Sequence, residues 1–450
     1  MKYTADTLQF PSRVSHFLNV TFDGPQLSSN GGLALLSLLD NKLGLTRDLA
    51  DLCGDWRKSK TVRHDLHQLL ASRVYAIAMG YEDCNDMKEL RHDEAFRSVI
   101  CPLSVKQSLP SQPTMSRFEN SQDDQRIERM TWKLADHLIR ELPVRNRTYY
   151  LDVDAFHDPT YGHQQASLFN GYYGCECYLP YGICVTTETG QQSLVYTKLR
   201  NGTAGATDGL EDALAQVVQR LRSHNPKAQI ILRGDAAYGC DAVLRMCHAL
   251  QIDYMLAIPT NKTLDNLFQE LHCCVHLQYS QLVQGQRSAD QYQEYLYDSR
   301  EYHAKSWERA ERVVCRAYYE EQHRRIDARY VISSMEMDPE DAYGTYCGRC
   351  ECENRWKEMK LHIKSGRTSC TRFAANRFRL LLYHIAFGLF QTLRKHLQPT
   401  KLGKSTVETL RSVLLKTAVL VRRTQRNVTW RLPMRNARES TWRRLYNCLA

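Results

Sequence analysis

The sequence predicts an α/β protein whose centre is a mixed β-sheet, with a helical region before it and a basic region after it. Three observations carry that prediction. Apolar residues recur at helical spacing up to about residue 145 and change to strand-like runs from 146. Strand and helix signals then follow in the order β-β-β-α-β-α-β, the series of a mixed sheet. At 450 residues and 43% hydrophobic content, the chain is long enough for two or three domains and too apolar for wholesale disorder.

Residues 1–145 read as a helical N-terminal region. GGLALLSLLDNKLGL, TVRHDLHQLLASRVYAIAMG and RIERMTWKLADHLIRELP each repeat apolar residues at helical spacing. SQPTMSRFEN (111–120) sets Ser116 three residues before Glu119, the spacing of a capping box. It starts either the DNA-reading helix of a helix–turn–helix unit or an ordinary capped helix.

The sheet series begins with RTYYLDVDAF, an aromatic and aliphatic strand whose acids stand at its end. GYYGCECYLPYGICVTT and QQSLVYTKLR are the next strands, joined through a hairpin turn at Glu188-Thr-Gly190. ATDGLEDALAQVVQRLRSH is an amphipathic helix, and AQIILRGDAAYG is a buried strand ending in Asp235. The helix CDAVLRMCHALQ and the strand IDYMLAIP complete the series. QYSQLVQGQRSADQYQEYLYD, RVVCRAYYEEQ and RYVISSM read as β-rich, which makes 261–340 a small inserted subdomain between the core segments 146–260 and 341–400. ANRFRLLLYHIAFGLFQTLRKH is a long apolar helix expected to pack on the sheet.

Charge is concentrated at one end. Residues 401–450 hold twelve Lys and Arg against Glu408 and Glu439, an excess equal to the formal net charge of +10 of the whole chain. A basic end on a neutral body is the footprint of a polyanion, most often nucleic acid. Interleaved Val, Trp and Leu in VLVRRTQRNVTWRLP mark this end as folded, with strand-like alternation. No apolar run reaches the roughly 18 residues of a membrane span, so a soluble, cytoplasmic protein is expected. Its 16 cysteines are scattered, which suggests reduced thiols. Cys347-x2-Cys350-x-Cys352 and Cys175-x-Cys177 with Cys184 lack the paired spacing of a zinc site.

The segment YGTYCGRCECENRWKEMK holds the densest chemistry. At about 100° per residue, Tyr346, Arg349, Glu353 and Lys360 fall within roughly 60° of one another on a single helix. That face is either a solvated charged helix with an Arg349–Glu353 pair, or a metal-holding carboxylate flanked by phosphate-gripping cations. Asp154 closes the first strand, with Asp152 on the same strand face as its rival, and Asp235 closes the fourth. Three oxygen donors suit a hard cation such as Mg²⁺ or Mn²⁺.

With these residues in place, the chain resembles insertion-sequence transposases with a DDE triad, of the family designated thirteen-eighty, also described as the group 1 DDE transposase domain. The resemblance covers essentially the whole chain, through YYLDVDAFHDPTYGHQQ, YYGCECYLPYG, LRNGTAGATDG, ILRGDAAYG, YGTYCGRCECENRWKEMK and ANRFRLLLYHIAFGLF. The fifth of these carries the Y-x2-R-x3-E-x6-K signature. The resemblance implies an RNase H-like mixed-sheet catalytic core with a β-rich insertion, a helical N-terminal DNA-binding region and a basic C-terminal region. It implies a triad of Asp154, Asp235 and Glu353 that binds Mg²⁺, with Mn²⁺ as a substitute. Arg349 and Lys360 would hold phosphates of the element's end beside Tyr346, and Trp307 is the candidate for stacking a flipped base or for anchoring the insertion's core. Expected partners are double-stranded DNA, as element ends and target, and a second copy of the chain during synapsis, in a nucleoid-associated bacterial protein. A transposase-derived DNA-binding protein and a nuclease without strand transfer are the alternatives.

Overall fold

β3 (Thr148–Ala155) is the hub of the molecule, because its two faces serve different purposes. Alternation along the strand sends Tyr149, Leu151 and Val153 into the main hydrophobic core and puts Tyr150, Asp152 and Asp154 on the opposite face. The computed structural model describes residues 8–11, 17–58, 62–101, 108–285, 294–398, 400–424 and 426–450.

Around β3 runs an eight-stranded mixed sheet. β7 (Tyr181–Thr187) and β8 (Gln192–Lys198) extend it antiparallel on one side. β9 (Gln229–Gly234) and β10 (Asp253–Ile258) extend it parallel on the other, reached through α8 (Leu210–His224) and α9 (Asp241–Leu250). This is the predicted β-β-β-α-β-α-β series, and its strand order is consistent with an RNase H-like core. The turn expected at Glu188–Gly190 is present, with Gly190 at φ 79°, where a side chain would be strained.

The stretch expected as one strand over 171–187 is two. Pro180, which has no N–H to give to a ladder, separates β7 from β6 (Cys175–Tyr178). β6 instead pairs with β4 (Asp158–Pro159) and β5 (Leu168–Asn170) in a small separate sheet.

The insertion also differs from expectation. β11 (Leu296–Tyr302), β12 (Glu311–Glu320) and β13 (Arg325–Ser333) do not form a sheet of their own. β13 pairs antiparallel with β10, from Met255↔Ser333 to Ile258↔Tyr330, so the insertion lengthens the central sheet. The stretch QYSQLVQ, read as β-rich, is the end of α11 (Gln269–Gln284), which follows α10 (Lys262–Leu267). α11 buries Leu271 and Val275 and packs on β12, a tertiary contact that overrides local preference. Residues 286–293 of the same stretch lie outside the described residues.

The described residues up to 145 are mostly helical as predicted, after antiparallel β1 (Leu8–Pro11) and β2 (Phe17–Val20). Their helices are α1 (Leu33–Leu43), α2 (Leu45–Ala50), α3 (Leu66–Ala78), α4 (Met87–Leu90), α5 (Glu94–Ile100), α6 (Gln112–Ser121) and α7 (Asp124–Arg140). α6 begins at Gln112, with Pro113 in its first turn, rather than at a Ser116–Glu119 capping box. Glu119 is buried and accepts from Arg73 Nε of α3 (2.6 Å), with Arg379 Nε at 3.7 Å. Arg379 belongs to the long apolar helix, which lies after two further helices of residues 339–361. α12 (Pro339–Cys347) and α13 (Cys350–Leu361) precede α14 (Phe373–Leu397), which packs on β8, α3 and α7. The N-terminal helices and the sheet thus share one core. Toward the C-terminus, α15 (Val407–Leu410) precedes the expected strand-like segment, a hairpin of β14 (Leu420–Arg423) and β15 (Val428–Arg431), and α16 (Glu439–Leu449) packs on α1. No helix among the described residues is long and apolar enough to cross a membrane.

Candidate active site

The acid-bearing face of β3 is roofed by α12 and α13. Val153 pairs with Gly234 in the parallel β3–β9 ladder, so Asp154 and Asp235 leave adjacent strands side by side. The Ala155 N–H donates to Asp154 Oδ1 (2.9 Å), and the Ala237 N–H donates to Asp235 Oδ1 (3.0 Å). Glu353 descends from the first turn of α13, and Arg349 stands between the two elements. Arg349 Nη1 lies 3.7 Å from Asp154 Oδ2, and Nη2 lies 3.2 Å from Glu353 Oε1.

Burial pushes the Asp154 carboxyl up to about 6; Arg349 opposes this, while the negative charges of Asp235 and Glu353 add to it. The three acids therefore feel one another. Among the described residues, no group of three or more His, Cys, Asp or Glu side chains is placed so that it could hold a metal ion. Arg349 supplies the positive charge between the carboxylates, and all three carboxylates are hard oxygen donors, so the residues fit a divalent ion in kind.

Asp152 is not an equivalent of Asp154. It is 1% exposed and fully engaged: Arg233 Nε donates to Oδ1 (2.7 Å), Arg233 Nη2 to Oδ2 (2.8 Å), and the Thr186 hydroxyl to Oδ2 (2.9 Å). The third arm of Arg233, Nη1, donates to the carbonyl of Thr345 in α12 (2.7 Å).

That bond explains a departure from the sequence reading. Tyr346, Arg349, Glu353 and Lys360 do not lie on one uninterrupted helix, because α12 ends at Cys347 and α13 starts at Cys350. The Thr345 carbonyl accepts from Arg233, and the Arg349 N–H bonds to Tyr346 O (3.0 Å) instead of one residue further back. A Cβ at Gly348 would stand 2.7 Å from Arg233 Nη1 and press on the arm that holds the Thr345 carbonyl.

The other predicted residues fall into two groups. Tyr346 lies within electrostatic reach of Arg349, and burial raises the phenol pKa. Lys360 Nζ donates to His157 O (2.9 Å), just beyond the end of β3, with the Phe156 ring 5.8 Å away. Trp307 is elsewhere in kind: it is 8% exposed in the turn between β11 and β12, edge-on to Tyr302 at 5.4 Å.

Three contributors were not read from the sequence. Arg233 carried no signal beyond its strand. Gly182, opposite Asp154 in the β3–β7 ladder, gives Trp356 of α13 its seat: a Cβ there would stand 2.3 Å from Trp356 Cη2. Asp158 is fully buried, with Oδ2 bonded to the Thr368 hydroxyl and Oδ1 without a partner, and burial pushes it up to about 6 near Lys360.

A family model described as transposase DDE domain group 1 matches residues 10–450. No curated protein matches the chain.

Proposed function

We propose, from the premise that the chain belongs to the transposase DDE domain group 1 family, that it cuts DNA at the ends of an insertion sequence and joins the freed 3′ ends to target DNA. The observation that carries this reading is the adjacency of Asp154 and Asp235 on parallel neighbouring strands, facing Glu353 across Arg349. The thirteen-eighty assignment and the Y-R-E-K roles belong to the same proposal, as do the helical DNA-binding region and Mg²⁺ dependence.

When bound, Mg²⁺, or Mn²⁺ in its place, would be held by Asp154, Asp235 and Glu353, and would supply an acidified attacking water and neutralisation of the leaving 3′-oxygen. The chain's own residues position the substrate. Arg349 exchanges its carboxylate contacts for a phosphate of the cut end, its forked donors matching two phosphate oxygens. Tyr346 neighbours that guanidinium, and Lys360, tethered to the His157 carbonyl, adds a second positive charge at the end of β3. Asp152 and Arg233 position the break between α12 and α13. Pairing two ends requires at least two copies of the chain in the reacting complex.

The test is strand cleavage of a duplex carrying the inverted repeats that flank the reading frame. Alanine at Asp154, Asp235 or Glu353 should abolish nicking in Mg²⁺ and leave binding largely intact. Wild-type nicking by the Asp235→Ala protein would refute the triad. Pre-cleaved ends offered with target DNA separate a transposase from a simple nuclease, which would leave them unjoined.

A further inference from the structure

A strongly basic groove crosses the helical side of the molecule where α6 begins. Two adjoining cavities, of about 290 and about 630 Å³, share Arg91 and Ser111. Arg57, Arg63 and Arg117 line the first, and Lys88 lines the second. No carboxylate is among the lining residues of either. Asp55 is bound to Arg57 (2.7 Å), Asp65 accepts from the Gln68 N–H (2.7 Å), and Asp86 and Asp93, beside the second cavity's lining residues in sequence, accept from the Asp83 and Phe96 N–H groups, while Glu89 follows Lys88. Arg91 is held in place, with Nη2 donating to Ser108 Oγ (2.9 Å), while its Nε is buried with no protein acceptor.

The opposite end of the chain continues this surface. The β14–β15 hairpin docks on the end of α5: Arg423 Nη2 donates to Arg97 O (3.4 Å), and Trp430 Nε1 donates to Ser98 Oγ (3.0 Å). The same end of α5 is tied to the first turn of α3, where Gln68 Nε2 donates to Ile100 O (3.3 Å). Just before α3, the carbonyl of His64 accepts from Arg57 Nη1, and both residues line the groove. The hairpin and the groove therefore flank the junction of α3 and α5. Arg422, Arg426 and Arg431 of the hairpin and its turn are exposed, as are Lys88 and Arg117 of the groove.

We propose that the groove at α6 and the β14–β15 hairpin form one composite surface that grips the phosphate backbone of duplex DNA. The inference rests on the reading that DNA is the substrate, and it names where the duplex is held. A duplex presents one negative charge about every 1.7 Å of its axis, which matches cations spread along a strip rather than gathered at a point. Arginine predominates in the strip, and its forked donors suit phosphate oxygens.

The experiment uses the full chain in chelator, so that nothing is cut, and a labelled linear duplex of mixed sequence titrated at several salt concentrations. Lys88→Gln, Arg117→Gln, Arg422→Gln, Arg426→Gln and Arg431→Gln are exposed changes and should leave the melting temperature unchanged. Each groove or hairpin change should lower the log–log salt slope by about one, and a pair drawn from both halves by about two. A photo-crosslinking residue at position 117 and another at 426 should both attach to the same bound duplex. If the wild type binds and cuts DNA while either set leaves the slope unchanged, the composite surface is wrong and the transposase reading stands. If polyglutamate competes as well as duplex and loses affinity in step with the variants, the partner is an acidic protein and the inference falls. A wild-type protein that binds no duplex overturns both readings together.

Discussion

Replacing Asp154 with asparagine should stabilise the metal-free protein while it abolishes cutting. The Asp154 carboxyl sits at about 6 in the fold against 3.8 unperturbed, through burial and the charges of Asp235 and Glu353. That difference, about 2 on the pH scale, corresponds to roughly 3 kcal/mol at about 1.4 kcal/mol for each step of one. The side chain is 22% exposed, so solvent screens part of it and roughly 2 kcal/mol is expected. Because the folded value is the higher one, the folded protein holds more protons between about pH 4 and about pH 6, and stability falls as pH rises through that window. Asparagine is uncharged in both states and escapes the loss, and its amide oxygen can still accept from the Ala155 N–H. The variant's advantage should be full at about pH 8, shrink as pH falls through about 6 and vanish below about pH 4. Urea midpoints in chelator across that range measure it. A variant equal to or less stable than wild type at alkaline pH, or a gain that does not change with pH, would refute the electrostatic account of the site.

Two further perturbations separate scaffold from site. Arg233→Met leaves Asp152 buried without its partner and should cost about 3–5 kcal/mol, whereas the double change Asp152→Leu, Arg233→Met should recover much of it. Thermal unfolding of the two variants beside wild type checks this, and full stability of the single variant would show that Asp152 is held some other way. Gly182→Ala would place a Cβ 2.3 Å from both Trp356 Cη2 and the Tyr196 carbonyl, and the backbone oxygen cannot yield cheaply. We expect roughly 1–3 kcal/mol of destabilisation and slower cleavage at temperatures where the variant is fully folded, because Trp356 lies one helical turn beyond Glu353. Wild-type cleavage by a folded variant would show that the seat of α13 does not set the position of Glu353.

The core strands were legible because each carries its own signal. Alternation in β3, the apolar run of β9 and the amphipathic α8 between them suffice to place Asp154 and Asp235 at strand ends. What was not legible depends on partners distant in sequence. The final turns of α11 are helical because Leu271 and Val275, earlier in the same helix, anchor it on β12. Pro180 was visible as a residue but not as the boundary between two sheets. The groove at α6 draws its cations from positions 57–117 and continues into 422–431, so neither end of the chain reveals it alone. Helical geometry put Arg349 and Glu353 on one face correctly, since they pair at 3.2 Å, but it missed the break that separates Tyr346 and Lys360 onto two helices.

The same break shows why the strand ends in two aspartates rather than one. Asp152 and Asp154 share a strand face, yet they address different neighbours. Asp152 lies beside Arg233 in the β3–β9 ladder, and its two oxygens fix the guanidinium so that the remaining arm reaches the Thr345 carbonyl. With that carbonyl engaged, the helix breaks after Cys347 and Arg349 faces Asp154 and Glu353. In the proposed mechanism, one aspartate acts at the reacting phosphate and the other acts through Arg233 to place the third carboxylate opposite it. Exchanging their roles by mutation should therefore fail in both directions. An asparagine at 154 removes a donor from a site that still folds, whereas an asparagine at 152 keeps the donors but weakens the buried pair that holds them in register.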